Sequence, residues 1–156
     1  RADTAFEAVI DACANTPRPG QDGTWIGPAM RAAYVTLHRL GHAHSIEVFD
    51  GEVLVGGIYG VAIGRMFFGE SMFSARPNGS RLALAGLCRL LAGWDWPLVD
   101  AQVDNPHLRL LGAREMARVD FARAVAVLAG QPGRIGPWIG AMGAQPASTL
   151  ASPTPR

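Results

Sequence analysis

Apolar positions at the start of the chain recur at i, i+3, i+4 and i+7, which is the spacing of one face of an α-helix. The residues on this face are Phe6, Val9, Ile10 and Cys13. Asp3 stands before them as a candidate N-cap. Residues 15–23 are rich in proline, glycine and polar side chains, so a loop is predicted there.

A second helix is predicted to begin near Pro28, because proline is favoured in a first helical turn, and to end before Gly41. Its expected apolar stripe consists of Met30, Ala33, Tyr34 and Leu37.

The pattern then changes to the alternation of β-strands. Residues 44–49 alternate, and the Asp-Gly pair at 50–51 is a strong hairpin signal before a second strand at 52–59. A Gly-Arg turn precedes a third strand, predicted over residues 66–73. The middle of the chain is therefore predicted to form a sheet.

Helical spacing returns after Ser80, a candidate cap, and ends near Gly93. The expected inner face of this helix is Leu84, Leu87, Cys88 and Leu91. A short strand at 98–103, a helical turn at 107–111 and an amphipathic segment at 119–128 follow. Residues 144–156 are rich in Ala, Ser, Thr and Pro and predict a disordered tail, which leaves residues 1–143 as one domain.

Composition narrows the class of protein. A chain of 156 residues with 49% apolar and 17% charged residues is long enough for one hydrophobic core. No apolar run approaches the roughly 18 residues of a membrane helix, so no membrane association is expected. The two cysteines fit a reduced, cytoplasmic protein. The net charge of +1 would not by itself suggest a protein that handles RNA.

Several motifs stand in the order and spacing of one family. They are GTWI at 23–26, GHAHSIEV at 41–48, LVGGIYG at 54–60, GESMFS at 69–74 and VDAQVDNPH at 99–107. With them the chain resembles the leucyl/phenylalanyl-tRNA–protein transferases over roughly residues 5–123. The additional N-terminal domain of that family is absent from these residues. The order of predicted elements resembles the GNAT acyltransferase fold. We therefore expect an α/β domain of the α+β type, with a mixed, centrally splayed sheet flanked by helices.

The resemblance implies an aminoacyltransferase. Such an enzyme moves leucine or phenylalanine, with methionine as a further candidate, from charged tRNA to an N-terminal Arg or Lys of an acceptor protein. The product is thereby marked for N-degron degradation. The 3′ end of Leu-tRNA or Phe-tRNA is the donor, so no cofactor is expected, and a monomer is expected.

The resemblance also assigns catalytic residues. Asp100 and Gln102 occupy positions i and i+2 of a predicted strand, so they should project to one face. The Gln102 side-chain carbonyl could accept a hydrogen bond from the attacking amine, with Asp100 orienting that amide. Glu70 would hold a charged substrate group. The alternative is structural: Asp100 and Gln102 as exposed strand residues, and Glu70 as a cap or arginine partner.

Six further residues are candidates for substrate binding. Ile58, Phe67 and Leu84 could form an apolar pocket for the amino-acid side chain. Trp25 and Tyr34 could stack on the terminal adenine, and Ser71 follows Glu70 directly. Core packing is the alternative for these apolar and aromatic residues. The four histidines lack ligand spacing, so no metal site is predicted.

Two rival functions stay open. A GNAT-like acetyltransferase would need small residues in the loop at 76–81 to receive the pyrophosphate of acetyl-CoA, and Arg81 is bulky there. An inactive fragment that binds N-terminal peptides is the other alternative, and the retention of Glu70, Asp100 and Gln102 argues against it.

Overall fold

The chain forms one four-stranded sheet with helices on both faces, as the computed structural model describes for residues 1–17 and 23–151. The elements in chain order are α1 (Phe6–Asn15), α2 (Pro28–Arg39), β1 (Ala43–Asp50), β2 (Val53–Ile63), β3 (Met66–Ser74), α3 (Gly79–Ala92), β4 (Leu98–Asp100), α4 (Pro106–Leu110), α5 (Arg118–Leu128) and a 3-10 helix (Ala147–Ala151). Part of the loop predicted at 15–23 lies outside the described residues.

The strand order is β1-β2-β3-β4. The first three strands are antiparallel, and β4 is parallel to β3. The predicted mixed sheet flanked by helices is confirmed. The β3–β4 ladder spans three residue pairs and ends at Phe68 with Asp100, whereas β3 continues to Ser74. The sheet is therefore open along residues 69–74 of β3, on the side that faces β4.

Adjacent side chains of β2 point to opposite faces of the sheet, and an apolar cluster lies on each face. Tyr59 belongs to the cluster beneath α1 and α2, together with Phe6, Val9, Ile10 and Val35. Ile58 belongs to the cluster beneath α3. The other members of that second cluster include Ile46, Phe67, Ala83, Leu87, Leu91, Trp96 and Trp138.

Several details of the helices differ from the prediction. Met30 is exposed, and Val35 is the buried residue of α2 instead. Cys88 is exposed, because the buried face of α3 passes through Leu87 and Leu90. Ser80 does not cap α3 with its side chain. Its backbone N–H and its hydroxyl lie 2.8 and 2.9 Å from the Ser74 hydroxyl.

Asp3 is not the N-cap of α1, which begins after Ala5 with no side-chain cap. The Asp3 carboxylate is buried and accepts hydrogen bonds from the backbone N–H groups of Ser45 and Trp138, at 2.9 and 2.7 Å. His44 Nδ1 lies 2.8 Å from the same carboxylate, and its ring stacks on Trp138 with centroids 3.7 Å apart. Asp3 thus joins the start of the chain, β1 and the segment after α5.

The C-terminal part of the chain is more exposed than the rest. Within α5, all of whose residues are described, no side chain is buried. Residues 147–151, inside the predicted tail, form the 3-10 helix, and the Arg89 guanidinium donates to the Thr149 carbonyl. Residues 152–156 lie outside the described residues, and the division at residue 143 stays a prediction. Among the described helices, none is long and apolar enough to cross a bilayer.

Candidate active site

Glu70 is the extra residue of a β-bulge in β3. In the register of β2 with β3, Ser71 pairs with Tyr59 and Gly69 pairs with Gly60, so Glu70 has no partner on β2. A Cβ atom on Gly60 would lie 2.1 Å from a backbone carbonyl oxygen of β3, so only glycine fits opposite this bend. A bulge redirects the side chain that it carries. The Glu70 carboxylate is thereby turned towards α2.

The Tyr34 hydroxyl, on α2, donates a hydrogen bond to the Glu70 carboxylate. Burial raises the pKa of Glu70; the Tyr34 hydrogen bond acts in the opposite direction, and the charge of Asp100 raises it further. Burial, followed by the neighbouring Glu70 charge, raises the pKa of the Tyr34 hydroxyl to about 12. Glu70 and Asp100 are therefore close enough to interact electrostatically beside the opening between β3 and β4, and Tyr34 remains a hydrogen-bond donor at neutral pH.

Asp100 is the last residue of β4, and its carboxylate accepts a hydrogen bond from the Gln102 backbone N–H at 2.8 Å. Gln102 has a φ of +68°, in the left-handed region. The predicted strand over 98–103 therefore ends at Asp100, and the expectation that both side chains project to one strand face is wrong. Asp100 instead stabilises a turn, as aspartate does when it bonds to the backbone two residues on. It positions Gln102 through the main chain, and the Gln102 side chain is exposed.

Two aromatic rings extend this cluster to the surface. Trp25 meets Tyr34 edge to face, with centroids 6.2 Å apart and planes at 75°. Tyr34 meets Tyr59 in the same manner at 5.3 Å. Trp25 is half exposed, so its ring is available to a ligand. The structure thus brings Trp25, Tyr34, Glu70 and Asp100 together, with Gln102 next to Asp100.

The three residues predicted to form the apolar pocket lie in the cluster beneath α3. Ile58 and Phe67 are buried core residues, and Leu84 is partly buried against them. Val99, which precedes Asp100 and pairs with Phe67, is partly buried in the same cluster. The pocket candidates therefore lie on the α3 face of the sheet, whereas Tyr34 packs on the opposite face with Tyr59.

A comparison with known protein families identifies the family of this chain. The model for the family described as "Leucyl/phenylalanyl-tRNA protein transferase" matches residues 1–126. The chain belongs to this family.

Curated relatives carry the same description, leucyl/phenylalanyl-tRNA–protein transferase. The relative from Xanthomonas axonopodis pv. citri is 61% identical over 150 residues, which are 96% of this chain and 60% of that protein. The relative from Xanthomonas euvesicatoria pv. vesicatoria is 70% identical over 125 residues, which are 80% of this chain and 50% of that protein. The relative from Xylella fastidiosa is 65% identical over 125 residues and is covered to 51%. The chain spans about half to three fifths of the length of these relatives.

All nine candidate residues of this transferase-family chain lie inside the matched region. Ser71 is half-buried on β3, next to the bulge. The link between Tyr34 and Glu70 was missed from sequence, where Tyr34 was expected only to stack on a base. Val99 was also missed, although it belongs to the VDAQVDNPH motif and its register with Phe67 places it beside the candidate pocket. In the described part of the chain, no group of three His, Cys, Asp or Glu side chains is placed to hold a metal ion.

Proposed function

We propose that this chain carries the aminoacyl-transfer site of a leucyl/phenylalanyl-tRNA–protein transferase. Leucine or phenylalanine passes from the 3′ end of charged tRNA to the N-terminal Arg or Lys of an acceptor protein. The observation that carries the proposal is the meeting of Glu70, Asp100 and Gln102 at the opening between β3 and β4. Membership of the family and the names of its relatives support it.

The reaction is aminolysis of an ester. The acceptor's α-amino nitrogen attacks the aminoacyl carbonyl, the new C–N bond forms, and the C–O bond to the terminal ribose of the tRNA breaks. The amine loses a proton, and the ribose oxygen gains one. Because an α-amino group has a pKa near 8, roughly a tenth of it is neutral at pH 7 without a strong base. Alignment of the amine is therefore the main task of the site.

Gln102 is suited to this alignment. Its side-chain carbonyl is a hydrogen-bond acceptor for the attacking N–H, and its side chain is exposed beside the opening. The Asp100 carboxylate fixes the left-handed backbone from which that side chain departs. Asp100 is thus a positioning residue, and Gln102 is the group that contacts the reacting nitrogen.

Glu70 is suited to the acceptor's positive charge. Together with Asp100 it gives this part of the opening two carboxylates and no described basic neighbour in contact with them. Opposite charges attract an N-terminal Arg or Lys through charge-assisted hydrogen bonds. A terminal adenine would stack on Trp25, and Ile58, Phe67 and Leu84 with Val99 would receive the leucine or phenylalanine side chain once the cluster opens.

The rest of the proposal follows from this chemistry. The activated ester comes from tRNA, so no further cofactor takes part. Acceptors gain a bulky apolar first residue, the type of end that an N-degron pathway recognises, and the setting is the cytoplasm, where charged tRNA is found. The chain acts as a monomer.

The test is transfer of labelled leucine from charged tRNA to a protein that begins with arginine. It is run on this chain and on the Xanthomonas axonopodis relative substituted at the aligned positions. Gln102→Ala should lower the rate about 10²–10³-fold, since one aligning hydrogen bond is worth about 2–4 kcal/mol of barrier. Donor binding should change little, because the hydrogen bond forms chiefly in the transition state.

Gln145→Ala is the matched control, because Gln145 is exposed in the C-terminal segment, far along the chain from the opening. It should transfer leucine at the parent rate. Parent-rate transfer by Gln102→Ala, Asp100→Asn and Glu70→Gln alike would require the site to lie elsewhere.

A further inference from the structure

A second concave site lies beyond the opening, where β3 ends. It is a cavity of about 330 Å³ between the end of β3, the start of α3 and α4. Its polar lining residues are Ser74, Asn78, Ser80, Arg81 and His107, and Leu110 and Leu111 complete the wall. We call it the Arg81 cavity.

The lining of the Arg81 cavity is cationic. Among the described residues, no carboxylate lines it, and neither Arg81 nor His107 has an ion-pair or hydrogen-bond partner for its side chain. The nearest acidic residue along the chain, Asp104, is engaged by Arg109. An arginine left unpaired in a concave site is available to an anionic ligand.

One wall of the cavity is fixed. The Ser74 hydroxyl accepts the Ser80 backbone N–H at 2.8 Å and lies 2.9 Å from the Ser80 hydroxyl. On the other side, the Asn105 side-chain oxygen accepts the Leu108 N–H at 2.9 Å, which fixes the turn that carries His107. The backbone that presents Arg81 and His107 is therefore held by hydrogen bonds, so a ligand would meet a preformed site.

The position of the cavity relates it to the transfer site. Ser74 follows Glu70 by four residues on β3, which is about 13 Å at the rise of a β-strand. His107 follows Gln102 by five residues. Both elements that carry the proposed transfer site thus continue into the Arg81 cavity. A single-stranded 3′ end anchored by its ester at Gln102 spans this distance within a few nucleotides.

We propose that the Arg81 cavity binds a phosphate group of the donor, namely a phosphodiester close to the aminoacylated 3′ end of the tRNA. This inference rests on the proposed function. The two sites bind substrate groups of opposite charge: Glu70, with the negative charge of Asp100 beside it, receives the cationic acceptor, and Arg81 with His107 receives the anionic donor. A guanidinium is suited to a phosphate, which it can bind with two parallel hydrogen bonds. The pyrophosphate of coenzyme A has the same chemistry, so the test includes it.

The test compares coenzyme A with two stable donor analogues in which an amide replaces the ester. One is a 3′-leucylamido-adenosine, and the other carries two cytidines joined to it by phosphodiesters. Binding to this chain is followed by NMR shifts of the backbone amides at residues 74–81 and by calorimetry. The extended analogue should bind about tenfold more tightly than the short one, the increase expected from one hydrogen-bonded charge pair.

Arg81→Gln should remove this increase and leave the affinity for the short analogue unchanged. The variant should also flatten the salt dependence of binding by about 0.7 in log–log slope for each phosphate that it no longer neutralises. Arg81→Lys, which keeps the charge, should retain that slope. Arg123→Gln is the matched control, because Arg123 is a highly exposed arginine on α5 and does not line the cavity.

Three results would overturn the inference. In the first, the extended analogue binds no better than the short one, or does not bind at all. In the second, Arg81→Gln weakens the binding of both analogues equally. In the third, the tenfold preference for the extended analogue persists in Arg81→Gln. Tight, Arg81-dependent binding of coenzyme A with no benefit from the cytidines would assign the cavity to an acyl-CoA and would count against the proposed function as well. Absence of the tenfold preference alone would leave the transfer experiment with Gln102→Ala unaffected.

Discussion

The hydrogen bond between Tyr34 and Glu70 can be tested by its effect on the titration of the carboxyl group. It stabilises the ionised form of Glu70, so Tyr34→Phe should raise the pKa of Glu70 and move its titration to higher pH. The charge of Asp100 acts in the opposite direction, so Asp100→Asn should lower the pKa of Glu70. Two substitutions beside the same carboxylate are therefore expected to shift its pKa with opposite signs.

The size of the first shift follows from the strength of one hydrogen bond. A hydrogen bond to a charged group contributes about 1.5–3 kcal/mol when it is buried. Glu70 is only half-buried, so the lower end applies, and water replaces part of the missing bond. Since 1.36 kcal/mol corresponds to one pH unit, the titration midpoint in Tyr34→Phe should rise by at most about one unit.

The assay is a pH titration of carboxyl ¹³C resonances in protein labelled at its five glutamates. Glu70→Gln assigns the Glu70 signal by its disappearance. A Glu70 midpoint that stays fixed in Tyr34→Phe, or that moves in the same direction in both variants, would refute the described cluster.

Three further predictions concern stability, each measured by urea unfolding. Because the pKa of Glu70 is raised in the fold, the protonated carboxyl group stabilises the protein below the ordinary pKa of 4.5, and this stability is lost as the pH rises and the group ionises. Glu70→Gln cannot ionise, so it should be more stable than the parent at pH 7. A stability difference that persists below about pH 4 would contradict this. Asp3→Ala leaves its buried donors unpaired and should cost about 3–5 kcal/mol, and a cost below about 1 kcal/mol would show that Asp3 is not the link described. Gly79→Ala places a Cβ 2.4 Å from the Val55 carbonyl oxygen and should lower the free energy of unfolding by about 1–3 kcal/mol. Gly140→Ala is the control, because there is open space around Gly140, and it should change the stability little. Equal losses in the two variants would contradict the close approach of α3 to β2.

The sequence was informative where structure depends on local spacing. The hairpin that joins β1 to β2 and the start of α2 at Pro28 are both present. Each follows from periodicity, turn chemistry or the order of elements. The motifs also supplied Glu70 and Asp100, which meet in space with Tyr34 although the three residues come from separate elements.

The sequence was less informative where one segment depends on another. The bulge at Glu70 arises from the register of β3 against β2, which alternation within β3 alone does not contain. The left-handed Gln102 follows from the bond that its N–H makes to Asp100, so a strand was predicted where a turn exists. Asp3 stands where a helix cap is expected from local sequence, but its carboxylate instead accepts hydrogen bonds from the backbone N–H groups of Ser45 and Trp138, which are distant in the chain.

The hydrogen bond between Asp3 and Trp138 has a consequence for the order of folding. It joins residues 135 positions apart, and closing a loop of that length costs about 4 kcal/mol of chain entropy by the logarithmic rule, before any constant term. The β1–β2 and β2–β3 hairpins close much shorter loops and can form earlier. During synthesis, Asp3 and His44 leave the ribosome long before Trp138 is added. Until then Asp3 lacks the hydrogen bond from the Trp138 N–H, and His44 lacks the Trp138 ring on which it stacks. A nascent chain halted before residue 138 should therefore hold its sheet with the Asp3 carboxylate incompletely bonded, and docking of Trp138 is expected as the late step that secures the first residues of the chain.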